Sequence, residues 1–133
     1  MAITQPSYRV LDTTSQCEVV SSTVDTTQLL KGVLDLAVLA VLKDEDGYGY
    51  DILRRLRTAG LDEVGDASVY GTLRRLFQAG LLTTYVVPSE EGPHRKYYGL
   101  NTAGRDQLNR AGKTWRTFAS TMDGLLDERG VAA

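Results

Sequence analysis

The chain has 133 residues, 42% of them hydrophobic, enough for one globular domain with an added arm or tail and too few for two ordinary domains. Lys and Arg number 15 against 17 Asp and Glu, a formal net charge of −2, so the field of the whole chain does not favour polyanions or anionic membranes, and nucleic-acid contact would have to come from local clusters. A single Cys17 and a single His94 exclude a disulfide framework, a Cys/His zinc site and a Cys–His nucleophile pair, and no metal or other cofactor is expected. The start lacks a basic segment followed by an apolar one. The longest apolar stretch, Val33 to Leu42, is broken by Asp35 and is about half the ~20 residues of a membrane span, so a cytoplasmic protein is expected.

Residues 1–27 are rich in Thr, Ser and Gln and carry no sustained period, which predicts a flexible N-terminal extension. It is either a disordered leader or an arm in which Arg9 touches a phosphate or a partner orders the segment; Cys17 is then an exposed thiol. A first helix starts near Asp25 or Thr26, followed at helical spacing by Leu29, Leu30, Val33, Leu34, Ala37, Ala40 and Val41. It is apolar almost all round, so its own domain and perhaps a second subunit must surround it. It stops at the charged turn Lys43 to Gly47, where Gly47 is expected to take the left-handed conformation.

A second helix is predicted over Tyr48 to Ala59, burying Ile52, Leu53 and Leu56, and a third over Ser68 to Ala79, burying Val69, Leu73, Leu76 and Phe77. Both end alike, with a basic pair (Arg54-Arg55, Arg74-Arg75) between two leucines, then Gly60 or Gly80, then Leu61 or Leu81. This reads as a glycine stop with a hydrophobic clasp rather than as an internal repeat. Leu82 to Val87 and Arg95 to Leu100 are β-branched or aromatic and flank a polar turn from Pro88 to Pro93, which predicts a two-stranded hairpin. Asn101 or Thr102 then caps one long helix to about Glu128. On it Leu108, Ala111, Trp115, Phe118, Met122 and Leu125 recur at alternating spacings of three and four, a heptad seam for a partner helix.

The expected fold class is therefore mainly α with a small β-hairpin. A winged helix-turn-helix DNA-binding domain covers 28–100, and a C-terminal dimerisation helix with a short tail covers 101–133. Arg74 and Arg75 on the third helix and His94, Arg95 and Lys96 at the wing turn form the local basic clusters, while the acids gather at Asp44, Glu45, Asp46, Asp62, Glu63 and Asp66. With Leu73 as the centre of the buried face, Ser68, Gly71 and Arg75 point outward and Thr72, Arg74 and, less so, Tyr70 lie on the flanks. Arg74, Arg75, Arg95 and Lys96 are expected on phosphates of double-stranded DNA, and Ser68, Tyr70 and Thr72 on base edges. Tyr48 and Tyr50 either touch phosphates or belong to the core.

Three segments, Gly47-Tyr48-Gly49-Tyr50-Asp51-Ile52, then Ser68 to Leu76 with Gly80-Leu81-Leu82, then Gly92 to Gly104, resemble the PadR family of transcriptional regulators, over about Leu29 to Leu126. The resemblance implies a homodimeric winged-helix repressor with a single C-terminal dimerisation helix, as in the family's short branch, acting on a palindromic operator. In multidrug-binding members a tryptophan on that helix stacks flat ligands. Trp115 and Phe118, with Leu34 and Val38 from the first helix, would then wall an effector cavity, unless Trp115 is simply packed core. Gly71 departs from the family's usual proline, which at a first helical turn would preset φ, so operator preference is expected to differ; glycine also lets the backbone approach DNA closely. A different class, a winged-helix dimer that binds another protein, is favoured by the acidic isoelectric point near 5.3. An enzyme has least support, since the chain holds no paired base and nucleophile, no phosphate-cradling glycine loop and no metal-ligand set.

Overall fold

The computed structural model describes residues 29–127. The predicted extension over 1–27, the start of the first helix at Asp25 or Thr26 and the end of the last helix at Glu128 lie outside the described residues. Helix α1 covers residues 29–41. The chain divides into two units after Leu34, and Leu30 and Leu34, on the first side of that division, are buried. The remaining elements belong to the second unit, which starts at Asp35.

After α1 come β1 (Gly47–Tyr48), α2 (Gly49–Thr58), α3 (Asp66–Gln78), β2 (Leu82–Val87), β3 (Arg95–Leu100) and α4 (Thr102–Leu126). The strands form an antiparallel sheet in the order β1-β3-β2, with Tyr85 and Tyr48 both opposite Tyr97. This is a winged helix-turn-helix with a long C-terminal helix. The three helices of the domain meet on Val38, Leu39, Leu42, Ile52, Leu56, Val69 and Leu73, all essentially without exposed surface. The apolar positions read at 3.6-residue spacing thus converge on one core.

The paired helix ends are built as their sequences imply. Gly60 and Gly80 take positive φ, +119° and +81°, and each following leucine closes the turn: Leu61 N–H donates to Leu56 C=O and Leu81 N–H to Leu76 C=O, both at 3.0 Å. Carbonyls left over at the helix end are thereby satisfied, which is the physical use of a left-handed glycine there.

Three expectations need correction. Gly47 is no left-handed turn but half of strand β1, paired with Tyr98, and a Cβ there would press on the Arg55 guanidinium at 2.9 Å. That guanidinium clamps the α1–β1 loop by donating to the carbonyls of Val41 (3.1 Å), Glu45 (2.8 Å) and Asp46 (2.6 Å), and to the Asp51 carboxylate (2.6 Å). A two-residue strand made by such a clamp has no period to read. Phe77, predicted in the buried stripe, is 43% exposed at the end of α3, with the Lys96 ammonium 5.8 Å from its ring centre. Finally, α3 begins at Asp66, before the predicted Ser68.

One joint sets where α4 leaves the domain. Asn101 Oδ1 accepts from Gly104 N–H at 2.8 Å, capping α4, while its Nδ2 donates to Gly80 C=O at 2.9 Å and its backbone N–H to Leu81 C=O at 3.3 Å. Gly104 is buried against Leu81, and a Cβ on it would collide with that carbonyl oxygen. Gly104→Ala is therefore expected to destabilise the fold by about 1–3 kcal/mol through overpacking against backbone that cannot yield. Asn101→Ala should cost about 1 kcal/mol through removal of the cap. Urea unfolding of the two variants beside the parent measures both.

Candidate nucleic-acid interface

Helix α3 turns Ala67, Ser68 and Arg74 to solvent, with Tyr70 43% exposed and Gly71 half-buried between them. Its N-cap is Gly65, and Asp66 places a carboxylate in the first turn, where the partial positive charge of the helix end favours it. Because the helix starts at Asp66, Gly71 lies in its second turn rather than its first. A proline at this point would remove a helical hydrogen bond and press on the carbonyl one turn back, so glycine leaves α3 unbroken. Its entropic penalty relative to alanine is about 1 kcal/mol, and an added Cβ would meet nothing within 4 Å.

Of the polar residues predicted for DNA, Thr72 turns inward and Arg75, though exposed, is engaged by α1. Thr72, expected on a flank, is only 3% exposed, and its Oγ1 accepts from Arg75 Nη2 at 3.2 Å. It cannot reach a base edge from there. Arg75, expected to point outward, reaches across to α1 and holds both carboxylate oxygens of Asp35, each at 3.0 Å. This hydrogen-bonded pairing raises the guanidinium further above its ordinary pKa. Asp35 had stood out in the sequence as the one charge interrupting the apolar run of α1, and its partner on α3 explains it. Arg74, by contrast, makes no ion pair among the described residues and stays exposed.

The start of α2 is the second part of the surface. Its N-cap, Tyr48, makes no side-chain capping hydrogen bond, so among the described residues no N-cap side chain satisfies the first amides of the helix. The Tyr70 ring lies across Gly49, where a Cβ would collide with it; Tyr50 is 58% exposed beside it. Arg95 stacks its guanidinium 4.5 Å from the Tyr48 ring centre. The nearby acid Asp51 is neutralised by Arg54 and Arg55. An uncapped helix start with a cation and three phenols around it is suited to an anion such as a phosphate.

The wing separates residues that are adjacent in sequence. Strand alternation sends Arg95 to Tyr48 on one sheet face and Lys96 toward Phe77 and Tyr98 (5.8 and 5.6 Å) on the other, while His94 is exposed at the turn. On the Arg95 face Tyr48, Tyr97 and Tyr85 form a continuous aromatic row, with ring centres 5.4 and 5.6 Å apart. Tyr85 closes it by donating its hydroxyl to Asp46 at 2.5 Å, a hydrogen bond that raises the phenol above its ordinary pKa. This row was not expected from the sequence; the tyrosines are scattered along the chain and only the strand register aligns them.

Helix α4 projects from the joint with Gly104 as its one buried residue among those described. On the heptad seam Trp115 is 43%, Phe118 56% and Leu125 74% exposed, while Leu108, Ala111 and Met122 are partly covered. Trp115 and Phe118 rings meet at 6.2 Å. Of the two residues expected to complete an effector cavity, Leu34 is buried, and Val38 is wholly buried with no surface to offer a ligand. Among the described residues, no group of three or more His, Cys, Asp or Glu is arranged to hold a metal, and no helix is long and apolar enough to cross a membrane.

Comparison with known proteins gives the architecture a family. The family model "Transcriptional regulator PadR-like family" matches residues 38–110. The crystal structure of a PadR-like transcriptional regulator from Bacillus cereus is 33% identical, covers 75% of this chain and 97% of its own, and superposes with a TM-score of 0.68. A PadR family transcriptional regulator from Eggerthella lenta is 27% identical, covers 86% of this chain and 97% of its own, with a TM-score of 0.72. Among curated proteins, an uncharacterized protein of Lysinibacillus sphaericus is 26% identical over 101 residues, 74% of this chain and 93% of its own. The winged-helix core, the α3 surface and the family match together place this chain in the PadR-like family of transcriptional regulators.

Proposed function

We propose that the protein is a homodimeric repressor that sets two α3 helices into successive major grooves of a palindromic operator. The observation that carries this reading is the uncapped start of α2, ringed by Tyr48, Tyr50, Tyr70 and Arg95, beside the exposed first turns of α3. In a winged-helix docking the amides at that helix start meet a backbone phosphate while α3 reads bases next to it. Arg74, His94, Arg95 and Lys96 contribute phosphate contacts, and Ser68 and Tyr70 base contacts. Thr72 and Arg75 support α3 from behind. The exposed seam of α4 supports dimerisation, since a row of apolar side chains at heptad spacing is the surface that a second helix covers.

An effector seated against Trp115 and Phe118 at that seam would relieve repression by favouring the dimer arrangement that does not fit the operator. Each tenfold loss of operator affinity requires about 1.4 kcal/mol of differential effector binding. Trp115→Ala is then expected to abolish the effector's influence while the dimer, at concentrations where it still forms, keeps its operator affinity. Equal losses of dimerisation, response and DNA binding would make Trp115 packing alone.

Titration of a duplex from the protein's own upstream region, against a scrambled duplex and at several salt concentrations, tests the DNA reading. Salt-sensitive preference for the upstream duplex at dimer stoichiometry is expected; equal binding to both overturns it. Arg74→Ala should lower the slope of log affinity against log salt by about 0.9 for each phosphate that the arginine neutralises, doubled in a dimer. Arg75→Ala should leave that slope unchanged and cost about 0.2–1 kcal/mol of stability, because its carboxylate partner is exposed to solvent.

A further inference from the structure

We infer that Asp46 is a positioning residue for DNA contact: through the Tyr85 hydroxyl it braces the wing at the angle that brings Arg95 to a backbone phosphate. The inference rests on the DNA reading proposed above. Asp46 acts through Tyr85, and Tyr85 through the strands that carry Arg95, so neither has to touch DNA.

The wing has little else to fix its direction. Strand β1 pairs with β3 at Gly47–Tyr98 and Tyr48–Tyr97, so Arg95 and Lys96 lie beyond it and pair only with Val87 and Val86 of β2. Strand β2 is at the edge of the sheet, with Tyr85, Val86 and Val87 exposed. Two strands that run past the rest of their sheet form a marginal structure in water, and their direction depends on what holds their base.

Asp46 supplies a fixed point at that base. Arg55 Nη2 donates to its carbonyl at 2.6 Å and Arg55 Nη1 to the carbonyl of Glu45 at 2.8 Å, while Arg105 of α4 donates to the carbonyl of Lys43 at 3.2 Å. The loop is thus tied to two helices. The Asp46 carboxylate makes no ion pair among the described residues; its hydrogen bond is the one it accepts from the Tyr85 hydroxyl at 2.5 Å. It sits against Gly99 of β3, where a Cβ would collide with it. Glycine inside a strand weakens the strand unless something approaches closely, and here the carboxylate does. Tyr85 in turn stacks on Tyr97 with the rings 17° apart in plane, Tyr97 meets Tyr48, and Arg95 rests on the Tyr48 ring. A change at the brace is carried along this row to the Arg95 guanidinium.

The test measures affinity for the duplex that the wild-type chain enriches from a random-sequence pool. Tyr85→Phe removes a hydroxyl and no charge, and is expected to lower affinity about three- to tenfold. It should also reduce the slope of log affinity against log salt toward that of Arg95→Ala, because a phosphate contact is lost with the position of the wing. Once Arg95→Ala is present, adding Tyr85→Phe should cost little more, whereas independent residues would give additive losses. Asp46→Ala should weaken binding too, although loss of an acid near a polyanion would by charge alone tighten it. Asp46→Asn keeps an acceptor for the hydroxyl and should bind more tightly than Asp46→Ala. A Tyr85→Phe variant with wild-type affinity and salt slope, or with the same loss whether or not Arg95 is present, overturns the inference and leaves the DNA reading standing. Failure of the wild-type chain to enrich any duplex overturns both.

Discussion

The arrangement of this protein depends on the contact between the backbone of Gly104 and the carbonyl of Leu81. Three elements end or begin there: α3 closes on Gly80 and Leu81, β3 returns from the wing to Leu100, and α4 starts under the cap of Asn101. Only a residue without a Cβ lets the first turn of α4 lie against the turn that ends α3. The long helix is thus referenced to the end of α3 through rigid backbone rather than through side chains that can repack. In a dimer built on α4, any change in the tilt of that helix is carried to α3 through this joint.

Electrostatics divides the arginines by role in a way that counting them does not. Arg55 and Arg57 spend their donors on carbonyls of neighbouring loops, and Arg75 on Asp35, so that much of the positive charge beside the helices is committed internally. Arg74 and the wing residues remain at the surface. Near the helices some acids are offset by arginines, Asp35 by Arg75 and Asp51 by Arg54 and Arg55, while Asp44, Glu45 and Asp46 gather in the α1–β1 loop. Salt screens exposed charges over about 10 Å at ordinary ionic strength, so local placement outweighs the net charge of −2.

Much of the fold was legible because helix and hairpin signals are local. The strand limits, the Asn101 cap, the glycine stops at Gly60 and Gly80 and the heptad seam follow from periodicity and from backbone geometry that few residues can satisfy. The site was legible in part. Ser68, Tyr70, Gly71 and Arg74 occupy exposed or half-exposed positions on α3, as a helical wheel places them. A wheel has no neighbours, however: it misassigned Thr72, which is buried, and it gave no sign that the outward-pointing Arg75 has a partner. Whether a flank position is open depends on which helix lies beside it, and α1 supplies Asp35 to claim Arg75.

What the sequence by itself determined is the set of elements, their order, the apolar faces that make the core and the family to which the chain belongs. Those properties are encoded in residues near one another along the chain, where spacing and stereochemistry act directly. The tertiary structure decided what depends on contacts between distant residues: the short strand β1, the tyrosine row across the sheet, the parting of Arg95 from Lys96, the burial of Thr72 and the pairing of Arg75 with Asp35.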